Sequence, residues 1–355
     1  MYNRQINQAP EKLVVKGKPV FGTYTEHVNR LDIRGVIRPF GALFMPSIIT
    51  NLRIKCRLSN FVKLGDYACA IDFFDAKAFG YATVFLWNTK TLQKIKYRSI
   101  MGPRRRFVPH SLDCAATLSY RKSRYIRIAW DRKANKFSII FNLKGKNGRP
   151  KSNAALISSF SDPNFAEITT VCPSPTQRRC SAVHTFTSSI HGAITLKPQG
   201  QKPVTMEDTD GISIFDMRRV YLRFHSKGTM LCGMGQIDGH QLSFRISVSS
   251  HNAVDQDTYN HNVLFVDGIP TPLPPVTITQ PMGISKTWVI QDMENMIDLN
   301  FEPKSFIQDK ANFIAVRFDF NYIYGTFEGT LMDSNGHKYT FKKLDGIIKK
   351  YLIRL

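Results

Sequence analysis

The chain has 355 residues, of which 43% are hydrophobic and 12% aromatic, a size and composition that predict a folded protein of two domains and exclude disorder. Its net charge of +22 comes from 49 basic and 27 acidic residues, and residues 1–155 hold 30 of the basic and only 8 of the acidic ones. Because the excess of basic residues lies in one half, it indicates a face that binds an anion. The six cysteines are scattered and the nine histidines form no closely spaced pair, so the sequence predicts no disulfide framework, metal site or cofactor.

The N-terminal segment has no apolar core and no small-residue cleavage site, so no signal peptide is predicted. The best candidate for a membrane span, Pro39–Leu52, is 14 uncharged residues interrupted by Pro46. It is shorter than the ~20 residues that a spanning helix needs. We therefore expect a cytoplasmic protein, with peripheral association at the inner face of the membrane left open.

Three segments of the first half alternate apolar and basic residues, the pattern of strands with one buried and one solvated face. They are residues 52–58, 94–98 and 125–130. Pairing of such strands would assemble a cationic sheet surface, to which the compact cluster after Gly102-Pro103 would add. The residues predicted to bind an anionic surface are Arg53, Lys55, Arg57, Lys94, Lys96, Arg98, Arg104, Arg105, Arg106 and Arg127.

Short strand-like runs separated by turns continue to the C-terminus. The turn signals include Asp238-Gly239, Asp267-Gly268 and Ser334-Asn335-Gly336, the last of which is a strong hairpin signal. Short helices are predicted only around Gly41–Ile49 and Ile347–Leu352, and irregular connections at 144–155, 172–179 and in the proline-rich segment 269–285. The strand spacing predicts an all-β fold of sandwich or barrel type. The charge break predicts a strongly basic N-terminal lobe, residues 1–170, and a neutral C-terminal lobe, residues 171–355.

Several motifs give the chain a resemblance to a known family. They are Gly192-Ala193-Ile194-Thr195-Leu196, Ile214-Phe215-Asp216-Met217-Arg218-Arg219, Asn262-Val263-Leu264-Phe265-Val266-Asp267-Gly268 and Asp298-Leu299-Asn300-Phe301-Glu302-Pro303. In order and spacing they resemble the bacterial proteins grouped as domain of unknown function 2804. The resemblance implies two tandem lipocalin-like antiparallel barrels of calycin type, similar to the fold of tocopherol cyclases and carotenoid hydratases, which handle isoprenoid lipids. The family has no established activity.

The chain also departs from the family pattern where polar groups are expected. His261 stands where a Glu usually precedes the Asn262 motif, and Asn321-Tyr322 and Lys349-Lys350-Tyr351 replace a His-Gln and a Glu-x-His pair. Groups that transfer protons or position a polar ligand have therefore changed. A binding protein with weak or lost activity is one outcome that these departures imply.

Asp216 is the candidate catalytic residue, because it follows the apolar residues Ile212, Ile214 and Phe215 at the end of a predicted strand. A carboxyl group in an apolar pocket stays protonated and can act as a general acid, which would suit a hydratase- or cyclase-like lyase or isomerase. The alternative is a structural salt bridge with Arg218 or Arg219, and the sequence favours it. The predicted ligand contacts are Arg178, Arg219, His261, Asn262 and Tyr322.

Two functions remain open. The first is a calycin-type protein that binds a lipid or isoprenoid-like ligand and docks on an anionic membrane through its basic lobe. The second is a nucleic-acid-binding β-protein that uses the basic strand faces of residues 50–150. Tyr97 and Trp130 alternate away from the basic faces, which favours the lipid function because aromatic rings that stack on bases should share those faces. The sequence does not indicate an oligomeric state.

Overall fold

The computed structural model describes residues 2–41, 45–77, 79–102, 107–146, 148–312 and 317–354. Nearly all of the regular structure is β. The strands are β1 Ile6–Asn7, β2 Val14–Val15, β3 Lys18–Pro19, β4 Gly22–Tyr24, β5 Ile54–Leu64, β6 Tyr67–Asp75, β7 Gly80–Asn88, β8 Lys94–Met101, β9 Cys114–Arg121, β10 Arg124–Asp131, β11 Lys136–Leu143, β12 Lys151–Ser158, β13 Ala166–Pro173, β14 Cys180–Lys197, β15 Val204–Tyr221, β16 His225–Ile237, β17 His240–Ser249, β18 Val263–Val266, β19 Ile269–Pro272, β20 Thr277–Thr279, β21 Trp288–Gln291, β22 Ile297–Asn312, β23 Arg317–Met332 and β24 Lys338–Arg354. The helix α1 is Ser47–Leu52. Within the described residues, no helix has the length and apolar character to cross a membrane.

The first sheet has 13 strands, and its main path runs β8-β7-β6-β5-β15-β14-β12-β11-β10-β9, with β13, β4 and β1 attached through β14. All neighbours are antiparallel except β1 and β4. The sheet curls until its end strand β8 meets the β11–β12 turn. There the Tyr97 hydroxyl donates to the Pro150 carbonyl at 2.5 Å, and Arg149 Nη1 donates to the Lys96 carbonyl at 3.2 Å.

The second sheet has nine strands in the order β19-β18-β17-β16-β24-β23-β22-β21-β20. Its two end strands are joined by residues 273–276 alone, so the sheet must also curl on itself. Leu273, in that joining segment, is fully buried in the apolar interior of this sheet together with Phe244, Phe301 and Phe327.

The two sheets pack against each other, and the alternation of strand residues decides which side chains meet there. In β5, Leu58 and Val62 belong to the interior of the first sheet, whereas Phe61 belongs to an apolar cluster shared by both sheets. Trp87 of the first sheet and Tyr324 of the second stack at 6.2 Å between ring centroids in this cluster. Both faces of β5 are therefore covered by protein, one inside the first sheet and the other against the second sheet.

The predicted fold class, all-β with two tandem lipocalin-like antiparallel barrels and few helices, is confirmed. The turns at Asp238-Gly239, Asp267-Gly268 and Ser334-Asn335-Gly336 all connect adjacent antiparallel strands. The chain passes from one sheet to the other between Tyr221 and His225, because the long strands β14 and β15 extend the first sheet. The lobe division predicted at residue 170 falls inside β13.

Several other local predictions are wrong. Residues 347–352 are part of β24 and not a helix, because Ile347 and Tyr351 pack between the sheets while Ile348 packs inside the second sheet. Parts of the predicted irregular connections are strands: residues 151–155 belong to β12, 172–173 to β13, 269–272 to β19 and 277–279 to β20. Of the predicted helix at 41–49, residues 42–44 lie outside the described residues, and α1 begins at Ser47.

The basic face predicted for residues 52–58 is not a solvated surface. Arg57 is 7% exposed and lies between the sheets, and Arg53 and Lys55 are half-buried and donate to the carbonyls of Leu222 and Ala76. The alternation of β5 is real, but the face that carries the basic residues is covered by the second sheet. Arg104, Arg105 and Arg106 lie outside the described residues.

Candidate functional site

Asp216 lies in the middle of β15, on the face that looks toward the second sheet, and is fully buried. Its neighbours on that face, Ile212 and Ile214, pack in the inter-sheet apolar cluster. Arg245 Nε of β17 donates to Asp216 Oδ2 at 2.9 Å, and the Thr185 hydroxyl donates to the same oxygen at 3.3 Å. The carboxylate is thus one half of a buried ion pair that joins the two sheets.

Arg245 is also fully buried, and its remaining contacts fix its orientation. Its Nη1 donates to Ser247 Oγ at 2.8 Å and to the His261 carbonyl at 2.9 Å. Asp216 therefore forms a salt bridge, as the alternative to a catalytic role expects, but its close partner is Arg245 and not Arg218 or Arg219.

A second buried ion pair crosses between the sheets nearby. Lys349 Nζ of β24 lies 2.7 Å from Asp72 Oδ1 of β6. The hydroxyls of Ser59 and Tyr322 donate to the same carboxylate. Together with the Asp216–Arg245 pair, Arg57, Arg218 and Tyr351, these groups form what we call the inter-sheet cluster.

Burial and neighbouring charge shift the protonation equilibria of this cluster. Burial, reinforced by the charge of Arg57, lowers the pKa of Lys349 to about 7. Burial and the charge of Asp72 raise the pKa of Tyr322 well above its ordinary value. Burial opposes ionisation of Asp72, but Lys349 and Arg57 outweigh it and lower the pKa of this carboxyl group. The cluster thus contains an amine whose pKa is lowered toward neutrality.

Four charged side chains of the cluster keep polar atoms without a hydrogen bond to the described part of the chain. These atoms are Asp216 Oδ1, Arg57 Nε, Arg218 Nη2 and Arg245 Nη2. Arg57 Nη2 lies 4.0 Å from Asp216 Oδ1, within ion-pair range only. A buried polar atom without a partner costs about 1–3 kcal/mol, and more when it is charged. Such a group is expected to persist where a ligand or water can reach it.

A narrow opening connects this cluster with the surface. It has a volume of about 30 Å³, enough for only a few water-sized groups. Arg57, Arg218 and Tyr351 line its polar side, and Phe74, Val220, Leu222 and Ile353 line its apolar side. Two of the three cluster arginines that have unpaired atoms, Arg57 and Arg218, are therefore at the opening.

The structure separates the predicted ligand contacts. Tyr322 belongs to the inter-sheet cluster through Asp72. Arg219 is fully buried but extends away from Asp216, where its Nη2 donates to the carbonyls of Val108 and Pro109 at 3.0 and 2.6 Å. Arg178 is exposed in the turn before β14.

His261 and Asn262 contact the segments that adjoin Arg245. His261 Nδ1 lies 2.5 Å from the Thr170 hydroxyl, and only its carbonyl reaches Arg245. Asn262 Oδ1 accepts from the Ser247 backbone at 2.9 Å, and its Nδ2 donates to the Pro274 carbonyl at 2.8 Å. In these contacts the Asn262 side chain forms hydrogen bonds with backbone groups of neighbouring segments, which is a structural role.

The predicted anion-binding residues divide in a similar way. Lys94, Lys96 and Arg98 of β8 come together beside β22, where Asp309 is bonded by Lys96 at 2.5 Å and by Arg98 at 3.1 Å. Arg127 lies on β10, apart from this group, beside an apolar groove formed by β9 to β12. The seven of these ten residues that the structure describes therefore do not share one surface.

Sequence reasoning missed Asp72 and Arg245, and it noted Lys349 only as a departure from the family pattern. Asp72 and Arg245 are each a single charge among apolar or small residues, in Ala70-Ile71-Asp72-Phe73 and Phe244-Arg245-Ile246, whereas Lys349 stands beside Lys350. A lone charge in such a run is the available signal, because burial then requires a partner from elsewhere in the fold. In the described ranges, no group of three or more His, Cys, Asp or Glu side chains is arranged to hold a metal ion.

Comparison with known proteins gives one family and several distant structures. The family model described as "Domain of unknown function (DUF2804)" matches residues 3–354. The crystal structure of CghA with Sch210972 has a TM-score of 0.49 at 10% identity, over 85% of this chain and 88% of that chain. Kievitone hydratase from Nectria haematococca has a TM-score of 0.45 at 8% identity, over 84% and 88%. Comparison with curated proteins gives no match.

Proposed function

This chain belongs to the DUF2804 family, and we propose that it binds a largely apolar, lipid- or isoprenoid-like molecule whose oxygen-bearing end enters the opening between the two sheets. The observation that carries the proposal is the pair of buried arginines at this opening, Arg57 and Arg218, each with a nitrogen that has no partner in the described chain. Guanidinium groups donate in a planar fork that suits a carboxylate or carbonyl oxygen.

The apolar side chains that line the opening suit a ligand whose main part is apolar. Phe74, Val220, Leu222 and Ile353 surround the arginines, and Phe224, just beyond Leu222 in the chain, is 69% exposed. The small volume admits the polar end of a ligand, while its apolar part would lie along these side chains. An amphipathic molecule satisfies both the buried charges and the apolar rim.

Proton transfer at the cluster is a further part of this proposal. An acid role for Asp216 requires a proton on the carboxyl group, but Asp216 accepts hydrogen bonds from Arg245 and Thr185 and so acts as an acceptor. Lys349, with its pKa of about 7, is the better proton donor and acceptor near neutrality. A hydratase- or cyclase-like reaction would therefore use Lys349 with Tyr322, and Asp216 would position Arg245.

Docking on an anionic membrane through residues 52–58 is not part of the proposal. Arg57 is committed to the inter-sheet cluster, and Arg53 and Lys55 bond to backbone carbonyls. The nucleic-acid alternative, which uses the basic strand faces of residues 50–150, loses the same side chains of residues 52–58.

A fluorescent fatty acid, dansyl-undecanoic acid, tests the binding proposal by titration. The protein should bind it saturably at one site, and Arg57→Met should weaken binding at least tenfold because the carboxylate loses a donor. Arg127→Met is the matched control, since Arg127 lies away from the opening, and it should bind like the parent protein. Equal loss in both variants, or binding that does not saturate, would overturn the proposal. If the titration gives the expected result, mass spectrometry of organic extracts of the purified protein would identify the natural ligand.

A further inference from the structure

A second cleft lies at the edge of the inter-sheet contact, about 690 Å³ in volume. It is bounded by β8, the start of β10, the turn between β11 and β12, and β22. Its charged lining consists of Lys94, Lys96, Arg98, Arg124, Arg149, Lys310 and Asp309. We call it the basic cleft, because six cations face one carboxylate.

The single carboxylate does not neutralise these cations. Asp309 bonds Lys96 and Arg98 only. Among the described residues, Lys94, Arg124 and Arg149 have no carboxylate partner and donate to the backbone carbonyls of Phe306, Arg98 and Lys96. These carbonyl bonds hold the side chains in place but leave their charge uncompensated.

Burial and, after it, the charges of neighbouring arginines lower the pKa values of two residues in the cleft. Burial, followed by the charges of Arg98 and Arg149, lowers the pKa of Lys96 to about 8. Burial and the charges of Arg149, Arg121 and Arg98 lower the pKa of Arg124. A bound anion would relieve the repulsion among these charges, and a concave site focuses the positive potential on it.

We propose that the basic cleft binds a small molecule with two or more clustered phosphate groups. Its volume lies within the range of small-molecule sites, and three arginines and three lysines at half-buried or exposed positions provide the forked and point-charge donors that phosphate oxygens need. The concave shape and the position between two sheets favour a compact ligand over a flat membrane or an extended nucleic acid.

Calorimetric titration with inorganic pyrophosphate, and in parallel with tripolyphosphate, tests this inference. We expect one site per chain and binding that weakens as salt increases. The double variant Arg124→Gln/Arg149→Gln should weaken binding at least tenfold. The control Lys342→Gln/Lys343→Gln removes the same charge from exposed positions of β24 and should change binding less than twofold.

Several results would overturn the inference. They are the absence of pyrophosphate binding at millimolar concentration, an equal loss in the control variant, and stronger binding of phosphatidylserine vesicles or single-stranded RNA that the arginine variant leaves unchanged. Thermal melting checks that the variants fold. Should the arginine variant unfold, the exposed Lys94→Gln provides the same comparison, since the Lys94 side chain lies at the surface and donates to the Phe306 carbonyl. Dansyl-undecanoic acid binding tests the opening at Arg57 independently of the basic cleft. A failure of the proposed function can therefore be distinguished from a failure of this inference.

Discussion

Charged side chains buried between the sheets occur mainly as pairs whose members come from different sheets. Asp216 pairs with Arg245, and Asp72 pairs with Lys349. Removing one partner leaves a charge in a low-dielectric interior, whereas removing both leaves none. At the residue scale, the stability of this protein should therefore depend on each pair as a unit.

The Asp216–Arg245 pair allows a direct test by a double-mutant cycle. Asp216→Leu and Arg245→Met should each reduce the free energy of unfolding by roughly 3–5 kcal/mol, and the double variant by clearly less than the sum. Urea unfolding measures all three. Lys90→Met, which breaks the exposed pair with Asp66, is the control and should cost at most ~1 kcal/mol. Additive effects of the two buried substitutions would contradict the coupling.

His251 should make the protein sensitive to acid. Burial, with the charges of Arg218 and Arg223, lowers the pKa of His251 to about 3. Between pH 6.5 and 3 the unfolded chain binds a proton at His251 that the folded chain does not. The contribution of neutral His251 to the free energy of unfolding is therefore fully present above pH 6.5 and decreases as the pH falls. His251→Gln should make this decline shallower by about 1.4 kcal/mol per pH unit. Urea unfolding between pH 6 and 4 measures the two slopes, and identical slopes would refute the assignment.

At the scale of the elements, long strands bend where a register shift interrupts the ladder. In β14 the pairing with β15 shifts between Ile190 and Gly192, and Gly192 has a φ of +135°. A Cβ at this position would lie 2.2 Å from the Ala155 carbonyl oxygen of β12. Glycine is required here both for its backbone conformation and for the close approach of the neighbouring strand.

Gly192→Ala should therefore cost more than an ordinary glycine substitution. We expect a loss of at least ~3 kcal/mol in the free energy of unfolding, because strain and a backbone clash act together. Gly200→Ala is the control, since Gly200 also has a positive φ of +74° but nothing within 4 Å of its Cβ position. It should cost ~1 kcal/mol. Similar losses in both variants would show that the clash is relieved by a small shift.

The strand predictions succeeded for strands with one buried face and for several strands buried on both faces, but they failed at the end of β24. The alternation at 94–98 lies within β8, which has one buried face, and the run at 263–266 coincides with β18, which is buried on both faces. By contrast, residues 347–352 looked helical because Ile347 and Ile348 are apolar on opposite faces of one strand. Local periodicity cannot distinguish these cases, since it contains no information about a second packing partner.

At the scale of the whole molecule, the two sheets share one apolar cluster and several ion pairs. Phe74 and Trp87 of the first sheet and Phe320 and Tyr324 of the second all belong to this cluster. Neither sheet could expose this face without losing that burial. The sheets should thus unfold together, although each has an interior of its own.

Single-tryptophan variants test this cooperativity. Trp130 lies in the interior of the first sheet and Trp288 in that of the second. A variant that keeps only Trp130 and one that keeps only Trp288, with phenylalanine elsewhere, should each give a fluorescence transition in urea that coincides with the circular dichroism transition of the same variant. Transitions at clearly different urea concentrations for the two probes of one variant would show that the sheets unfold separately.

The sequence by itself determined the all-β class, the turns and the apolar interior of each sheet, because strand alternation and turn chemistry are local properties. It also selected Asp216 as the candidate catalytic residue and Tyr322 as a ligand contact. Only the tertiary structure decided what their faces meet. The basic face of β5 has the local pattern of a solvated surface, yet the second sheet covers it and supplies Asp216 with Arg245. A strand specifies which residues share a face, but the packing of distant strands decides whether that face meets water, an ion pair or a ligand.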